Sequence, residues 1–168
     1  FRADVTDPDA ARAVVAECLD RFGRLDVLVN NAGGAGPVPF GDLTDADWVG
    51  AFELNFFAAV RLARECVEVM RAQGWGRLVH VASVSGREPD PMFAPYSAAK
   101  AALLNWSTSL SRAVAADGVL SSCVVPGVTL TELVADNAAA SAARTGVPVE
   151  EVMARQLARH GVSAGRFG

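Results

Sequence analysis

The 168-residue chain has few of the features that tie a protein to nucleic acid, membrane or metal. Its 15 lysines and arginines against 19 carboxylates leave a formal charge of -4, and no basic cluster stands out locally. There is thus no field to hold a phosphate backbone, and nucleic acid is not an expected partner. No apolar run reaches the length needed to span a bilayer, and the first residues do not resemble a signal peptide, so no membrane partner is expected either. With only His80 and His160 and no cysteine pair at ligand spacing, a metal site has almost nothing to build from. The three cysteines, Cys18, Cys66 and Cys123, are widely spaced and set in apolar periodic segments, as reduced core thiols of a cytoplasmic protein would be.

What is present is ordinary globular composition. At 51% hydrophobic and 20% charged, the chain can bury a sizeable core, and residues 1–168 read as a single domain. Thr6-Asp7-Pro8 predicts a helix start, with an apolar stripe from Ala11 to Phe22 and a stop at Gly23. Leu25 to Val29 is a short, nearly continuous apolar run, the pattern of a strand buried on both faces of a parallel sheet. It runs into the amide- and glycine-rich loop Asn30-Asn31-Ala32-Gly33-Gly34. Thr44 and Asp47 have capping-box spacing and open a helix expected to reach about Arg71, with Gly74 and Gly76 breaking the chain. Arg77 to Ser83 predicts a second strand, Pro95 to about Ala116 a helix, and Val119 to Val125 a third strand ending at Pro126-Gly127. Thr131 to Ala143 and Pro148 to Arg159 fit two further helices. Strands alternating with helices of this length imply a parallel sheet with helices on both faces, whose ligands bind at the carboxyl ends of the strands.

The chemistry concentrates in Pro95-Tyr96-Ser97-Ala98-Ala99-Lys100. Tyr96 and Lys100 are four residues apart in an Ala-rich helix, so a phenol and an ammonium share one face. At roughly 5 Å and an effective dielectric near 20, the ammonium would stabilise the phenolate by about 3 kcal/mol. A phenol so paired is a candidate general acid/base. Ser83, thirteen positions before Tyr96, closes the second strand and could hydrogen-bond the same substrate oxygen. A lone Tyr-x-x-x-Lys is weak support, because a lysine lying along a tyrosine on a helix is common. Asn55 adds to it: an amide amid the apolar neighbours Leu54, Phe56 and Phe57 is costly unless something hydrogen-bonds it.

In their order and spacing, Asp4-Val5-Thr6-Asp7, the Asn30-Asn31-Ala32-Gly33 loop, Asn55, Ser83, Tyr96-x-x-x-Lys100, Pro126-Gly127 with Thr131, and Gly165-Arg166-Phe167-Gly168 resemble the short-chain dehydrogenase/reductase family, in its simple reductase form similar to 3-oxoacyl-acyl-carrier-protein reductases. The resemblance implies an α/β fold, a Rossmann-like doubly wound parallel sheet in three α/β/α layers, incomplete at both ends of this sequence. It implies an NAD(P)-dependent oxidoreductase moving hydride between NAD or NADP and a secondary alcohol or ketone. Tyr96 would be the proton donor or acceptor, Lys100 its partner and a ligand of the nicotinamide ribose, Ser83 the residue that orients the substrate oxygen, and Asn55 the holder of a relay water in a locally opened helix. Asp4 and Val5 would contact the adenine, although Asp4 or Asp7 could equally cap the first helix. Asn31, Ala32 and Gly33 would line the ribose and diphosphate region, while Asn30 and Asn31 have a second reading as fasteners between strands. Pro126, Gly127, Val128 and Thr131 would border the nicotinamide.

Other readings stay open at this point. A nucleotide-binding regulator or scaffold would keep the fold without turnover, and a sugar-nucleotide epimerase or dehydratase uses similar residues. Ser85 is an alternative to Ser83. Asp26 reads as a residue at the start of a strand, and His80 as a packed core residue. Val84, Met92, Phe93, Val128, Leu133, Val134 and Met153 either line a substrate pocket or belong to the core, with Arg87, Glu88 and Asp90 as charges at its mouth. The family's Gly-rich turn would precede Phe1, so the native protein is expected to extend in both directions. By the same analogy the helices from Thr44 and Pro95 would pair two subunits in a homodimer or homotetramer.

Overall fold

Three apolar runs form the strands β1 (Val27–Asn30), β2 (Gly76–Val81) and β3 (Val119–Val124) in the computed structural model, which describes residues 1–127 and 129–159. All pair in parallel in the order β1-β2-β3, with Asn30 opposite His80 and His80 opposite Cys123. Parallel neighbours cannot be joined by a hairpin and need long crossovers. The helix α1 (Ala10–Phe22) precedes β1. The first crossover carries α2 (Asp45–Phe52), a π-helical turn (Glu53–Phe57) and α3 (Ala58–Gln73); the second carries α4 (Ala94–Val114). These elements belong to the compact unit Phe1–Val125, and a second unit, Pro126–Gly168, contains α5 (Glu132–Thr145) and α6 (Val149–Arg159).

Local chemistry sets the boundaries. Thr44 Oγ1 accepts from Asp47 N–H (3.4 Å) while Asp47 Oδ2 accepts from Thr44 N–H (2.8 Å), the reciprocal cap expected for α2. α1 starts at Ala10, later than the Thr6-Asp7-Pro8 signal suggests. Asp4 Oδ1 accepts from Thr6 N–H and Oγ1 (2.9 and 2.7 Å) and Asp7 Oδ1 from Asp9 N–H (2.9 Å), and these two side-chain turns occupy the backbone that an earlier helix would need. Gly76, expected to break the chain, is instead the first residue of β2.

Because both crossovers step the same way across the sheet and such connections are right-handed, α3 and α4 lie on the same face. Val15 of α1, Ala63, Cys66, Val67 and Met70 of α3 and Val114 of α4 pack with Leu78 and Val119 in one core. Every second strand residue points into it. The alternate residues Val27, Val29, Leu120 and Val124 are exposed, so the described strands bury one face where the apolar runs suggested two. The Cys66 thiol sits deep in this core, where burial pushes its pKa up to about 12.

One polar chain crosses this packed face. His80 is fully buried, and Asn30 Nδ2, which can only donate, lies 2.9 Å from His80 Nδ1. Nδ1 is therefore the acceptor and the neutral ring donates from Nε2 to Ser121 Oγ (3.1 Å), itself 2.8 Å from Ser107 Oγ. Asn30 Nδ2 also reaches Ala59 O (3.4 Å), tying the end of β1 to α3. Asn30 thus serves as a strand fastener, and His80 is the core residue its position suggested.

Burial lowers the His80 pKa from 6.5 to about 4. The folded value lies below the unfolded one, so the stability tied to neutral His80 is complete above pH 6.5 and is lost as pH falls from there toward 4. Between pH 7 and pH 5 this amounts to about 2 kcal/mol. In urea unfolding, His80→Gln should flatten the stability loss between those two pH values relative to wild type. An identical loss in both proteins would show that the ring does not titrate this way.

Candidate active site

The site is assembled where the loop after β1, the π-helical turn, the end of β2 and the first turns of α4 meet. Asn55, 2% exposed, is the middle residue of the π turn. Its amide clamps one residue of the loop: Oδ1 accepts from Gly34 N–H and Nδ2 donates to Gly34 O, both at 3.0 Å. The second Nδ2 hydrogen goes to Ala51 O (3.0 Å), the carbonyl that an uninterrupted α-helix would give to the Asn55 N–H. The locally opened helix implied by the family resemblance is therefore present, and the buried amide is satisfied by the loop and its own helix.

Lys100 is 4% exposed. Its Nζ donates to Val81 O (2.8 Å), the last carbonyl of β2, and lies 5.6 Å from the ring centroid of Tyr96, the chain's one tyrosine. Burial draws the lysine below its ordinary pKa, with Cys123 pulling weakly the other way. An ammonium has three donors, and Val81 O is the one acceptor it meets among the described residues. Two donors stay available to a ligand.

Glycines make this convergence possible. A Cβ on Gly33 would stand 2.8 Å from Asn55 Oδ1 and 3.2 Å from Lys100 Nζ, so only a bare Cα lets loop, amide and ammonium meet. A Cβ on Gly86 would come within 2.9 Å of the Lys100 carbonyl carbon, which shows how closely the turn Val84–Gly86 presses on α4. Ser83 leads into that turn. Its Oγ accepts from Ser85 N–H (3.1 Å), which leaves its one hydrogen to donate elsewhere.

The remaining candidates fall in several places. Asn31, Ala32 and Gly33 are exposed at the carboxyl end of β1, whereas Asn30 is buried. Asp4 carries its bonds from Thr6, and the Thr6 hydroxyl, followed by its N–H, holds the carboxyl below the usual range. Val5 borders a groove with Phe1, Val14 and Cys18. Asp26 is held by a two-pronged contact from Arg24 (2.6 and 2.8 Å), a structural role. In the second unit Thr131 Oγ1 accepts from Val134 N–H (3.3 Å) and caps α5. Pro126 and Gly127 follow β3, and Val128, the Leu133 side chain and Gly165 to Gly168 lie outside the described residues. Met92 and Phe93 flank Tyr96 in an open crevice of about 330 Å3, while Asp90 is buried and accepts from Met92 N–H (2.8 Å). The α2 wall of that crevice, Ala46, Gly50 and Ala51, is absent from the expected pocket. Their small side chains at helical spacing are the one sign of it in the sequence.

The short chain dehydrogenase family profile matches residues 1–142. The chain belongs to that family. Among its relatives are an uncharacterized oxidoreductase of Bacillus subtilis, 38% identical over 133 residues, which cover 79% of this chain and 50% of the relative. Another is the 3-oxoacyl-[acyl-carrier-protein] reductase of Escherichia coli, 34% identical over 130 residues, covering 77% and 53%. The crystal structure of L-sorbose reductase from Gluconobacter frateurii complexed with NADPH and L-sorbose superposes with a TM-score of 0.91 at 33% identity, over 99% of this chain and 63% of that one. The chain spans about half the length of the curated relatives it matches. As a short chain dehydrogenase it has the α/β fold with a parallel sheet that the alternation of its elements predicts.

The close approach at Gly33 gives a direct test of the assembly. Gly33→Ala should cost about 1–3 kcal/mol in equilibrium unfolding, because the methyl must displace either the Asn55 amide or the Lys100 ammonium. Wild-type stability in that variant would mean that the loop yields without disturbing the clamp.

Proposed function

We propose that this chain is the catalytic part of an NAD(P)-dependent oxidoreductase interconverting a ketone and a secondary alcohol, with Tyr96 as general acid/base. The observation that carries this reading is the buried Lys100 ammonium beside the Tyr96 ring with two donors uncommitted. A structural lysine would spend its donors on protein groups; this one faces a phenol and a glycine-bared opening. NADPH in the L-sorbose reductase complex supports the cofactor class.

The two Lys100 donors left open among the described residues and the exposed, glycine-bearing loop at the end of β1 suit such a cofactor. Lys100 and Tyr96 would hold its nicotinamide ribose, Asn31, Ala32 and Gly33 its adenosine ribose and diphosphate region, and Asp4 and Val5 the adenine. On the family resemblance alone, Pro126, Gly127, Val128 and Thr131 would border the nicotinamide. When bound, the nicotinamide supplies or accepts the hydride. In the reductive direction Tyr96 gives its hydroxyl proton to the carbonyl oxygen as the hydride reaches the carbonyl carbon, and the alcohol leaves with both. The Lys100 charge stabilises the phenolate left behind. Ser83 donates its free hydrogen to the same oxygen and fixes its position. Both Nδ2 hydrogens of Asn55 are engaged, so a relay water there would bind as a donor to a carbonyl oxygen and could pass protons onward to Lys100 and Tyr96.

The same reading includes a cytoplasmic homodimer or homotetramer built across α2, α3 and α4, for which the exposed Val49 and Phe57 offer apolar contact area. Among the described residues no helix is long and apolar enough to cross a membrane.

In the full-length enzyme, Tyr96→Phe should lower kcat by about a hundredfold or more while circular dichroism and melting stay close to wild type. Lys100→Ala should weaken cofactor binding and move the pH optimum upward in a pH-rate profile. Undiminished turnover by Tyr96→Phe would rule out the mechanism.

A further inference from the structure

The crevice beside Tyr96 bears on what the enzyme acts upon, and the inference rests on the oxidoreductase reading above. Its walls are Val38 on the loop after β1, Gly50 and Ala51 on α2, Met92 and Phe93 before α4, and Tyr96 itself. The wall is built rather than incidental: Val38 N–H donates to Met92 O (2.8 Å), bridging the two loops, and the Asn55 clamp fixes the loop at Gly34. Among the described residues no cationic side chain lines it. The carboxylate in the described lining, Asp47, is turned to the α2 cap, where Oδ2 accepts from both Thr44 N–H (2.8 Å) and Thr44 Oγ1 (2.6 Å). A carboxylate or phosphate placed here would meet no cation in the described lining, and a polyol would exchange water for methyl and aromatic surface. At about 30 Å3 for each water-sized group, the crevice accommodates roughly ten non-hydrogen atoms.

We propose that this crevice receives an uncharged hydrocarbon substituent on the substrate's carbonyl carbon, so that the preferred substrates are apolar ketones, or the matching secondary alcohols, bearing a chain or ring of up to about ten carbons. Shape and apolar burial select the substrate, while Tyr96 reads only its oxygen.

The test uses the full-length enzyme with its nicotinamide cofactor and compares kcat/KM for 2-butanone, 2-octanone and the keto acid 4-oxopentanoate. Each buried methylene can add up to about fourfold, so 2-octanone should exceed 2-butanone by at least about tenfold, with the keto acid last. Gly50→Leu narrows the crevice without backbone strain, since a Cβ at Gly50 meets nothing within 4 Å and the position is helical. It should cut the 2-octanone to 2-butanone ratio by about tenfold, and Gly50→Ala by less. A ratio unchanged in Gly50→Leu, or a wild-type preference for the keto acid, overturns the assignment. If that turnover is still abolished by Tyr96→Phe, the proton-transfer chemistry stands and only the substrate class fails.

Discussion

A charge that leaves water must be given a partner, and the buried Lys100 ammonium imposes that requirement on everything near it. Its anchor is Val81 O, the last carbonyl of β2, so α4 must lie directly over the end of that strand. The small residues Ala98, Ala99, Ala101 and Ala102 around Lys100 keep the helix thin there, and Gly86 lets the turn after Ser83 press against its backbone. On the other side the bare Cα of Gly33 leaves room for both the ammonium and the Asn55 amide where a Cβ would stand. The π turn, the glycine loop and the helix that bears Tyr96 are thereby held in mutual register by one cation and one amide.

The sheet beneath follows a related rule on a larger scale. Asn30 and His80, opposite each other across β1 and β2, continue a line of hydrogen bonds to Ser121 and Ser107. A neutral imidazole suits this place because it accepts on one side and donates on the other, linking a side chain that only donates there to a hydroxyl that can pass the bond on. The network fixes the carboxyl end of β1, the point from which the loop to Gly34 departs.

Much of this was legible in the residues. Short apolar runs between helical stretches identified the strands and their parallel arrangement, and the Thr44 and Asp47 pair marked the start of α2 because a reciprocal cap depends on local spacing alone. Tyr96 and Lys100 shared a face for the same reason. What depended on distant partners was harder to read. Periodicity alone carries the helix from Thr44 straight through to Arg71, since it does not register one extra residue in a turn; the local opening at Asn55 came from the family resemblance and from the buried polar amide itself. In the described chain the strands are covered on one face, while Val27, Val29, Leu120 and Val124 on the other stand exposed. The α2 wall of the crevice escaped notice because Gly50 and Ala51 matter there for the space they leave.

The central claim is that the phenol of Tyr96, the hydroxyl of Ser83 and the ammonium of Lys100 act together on one substrate oxygen. Its most direct test is a crystal structure of the full-length enzyme with a nicotinamide cofactor and a ketone bound. The account predicts a carbonyl oxygen within about 3 Å of both the Tyr96 and Ser83 hydroxyls, with Lys100 Nζ still on Val81 O and a second donor on the cofactor ribose. A ketone oxygen remote from both hydroxyls, or a lysine swung away from Val81, would contradict it.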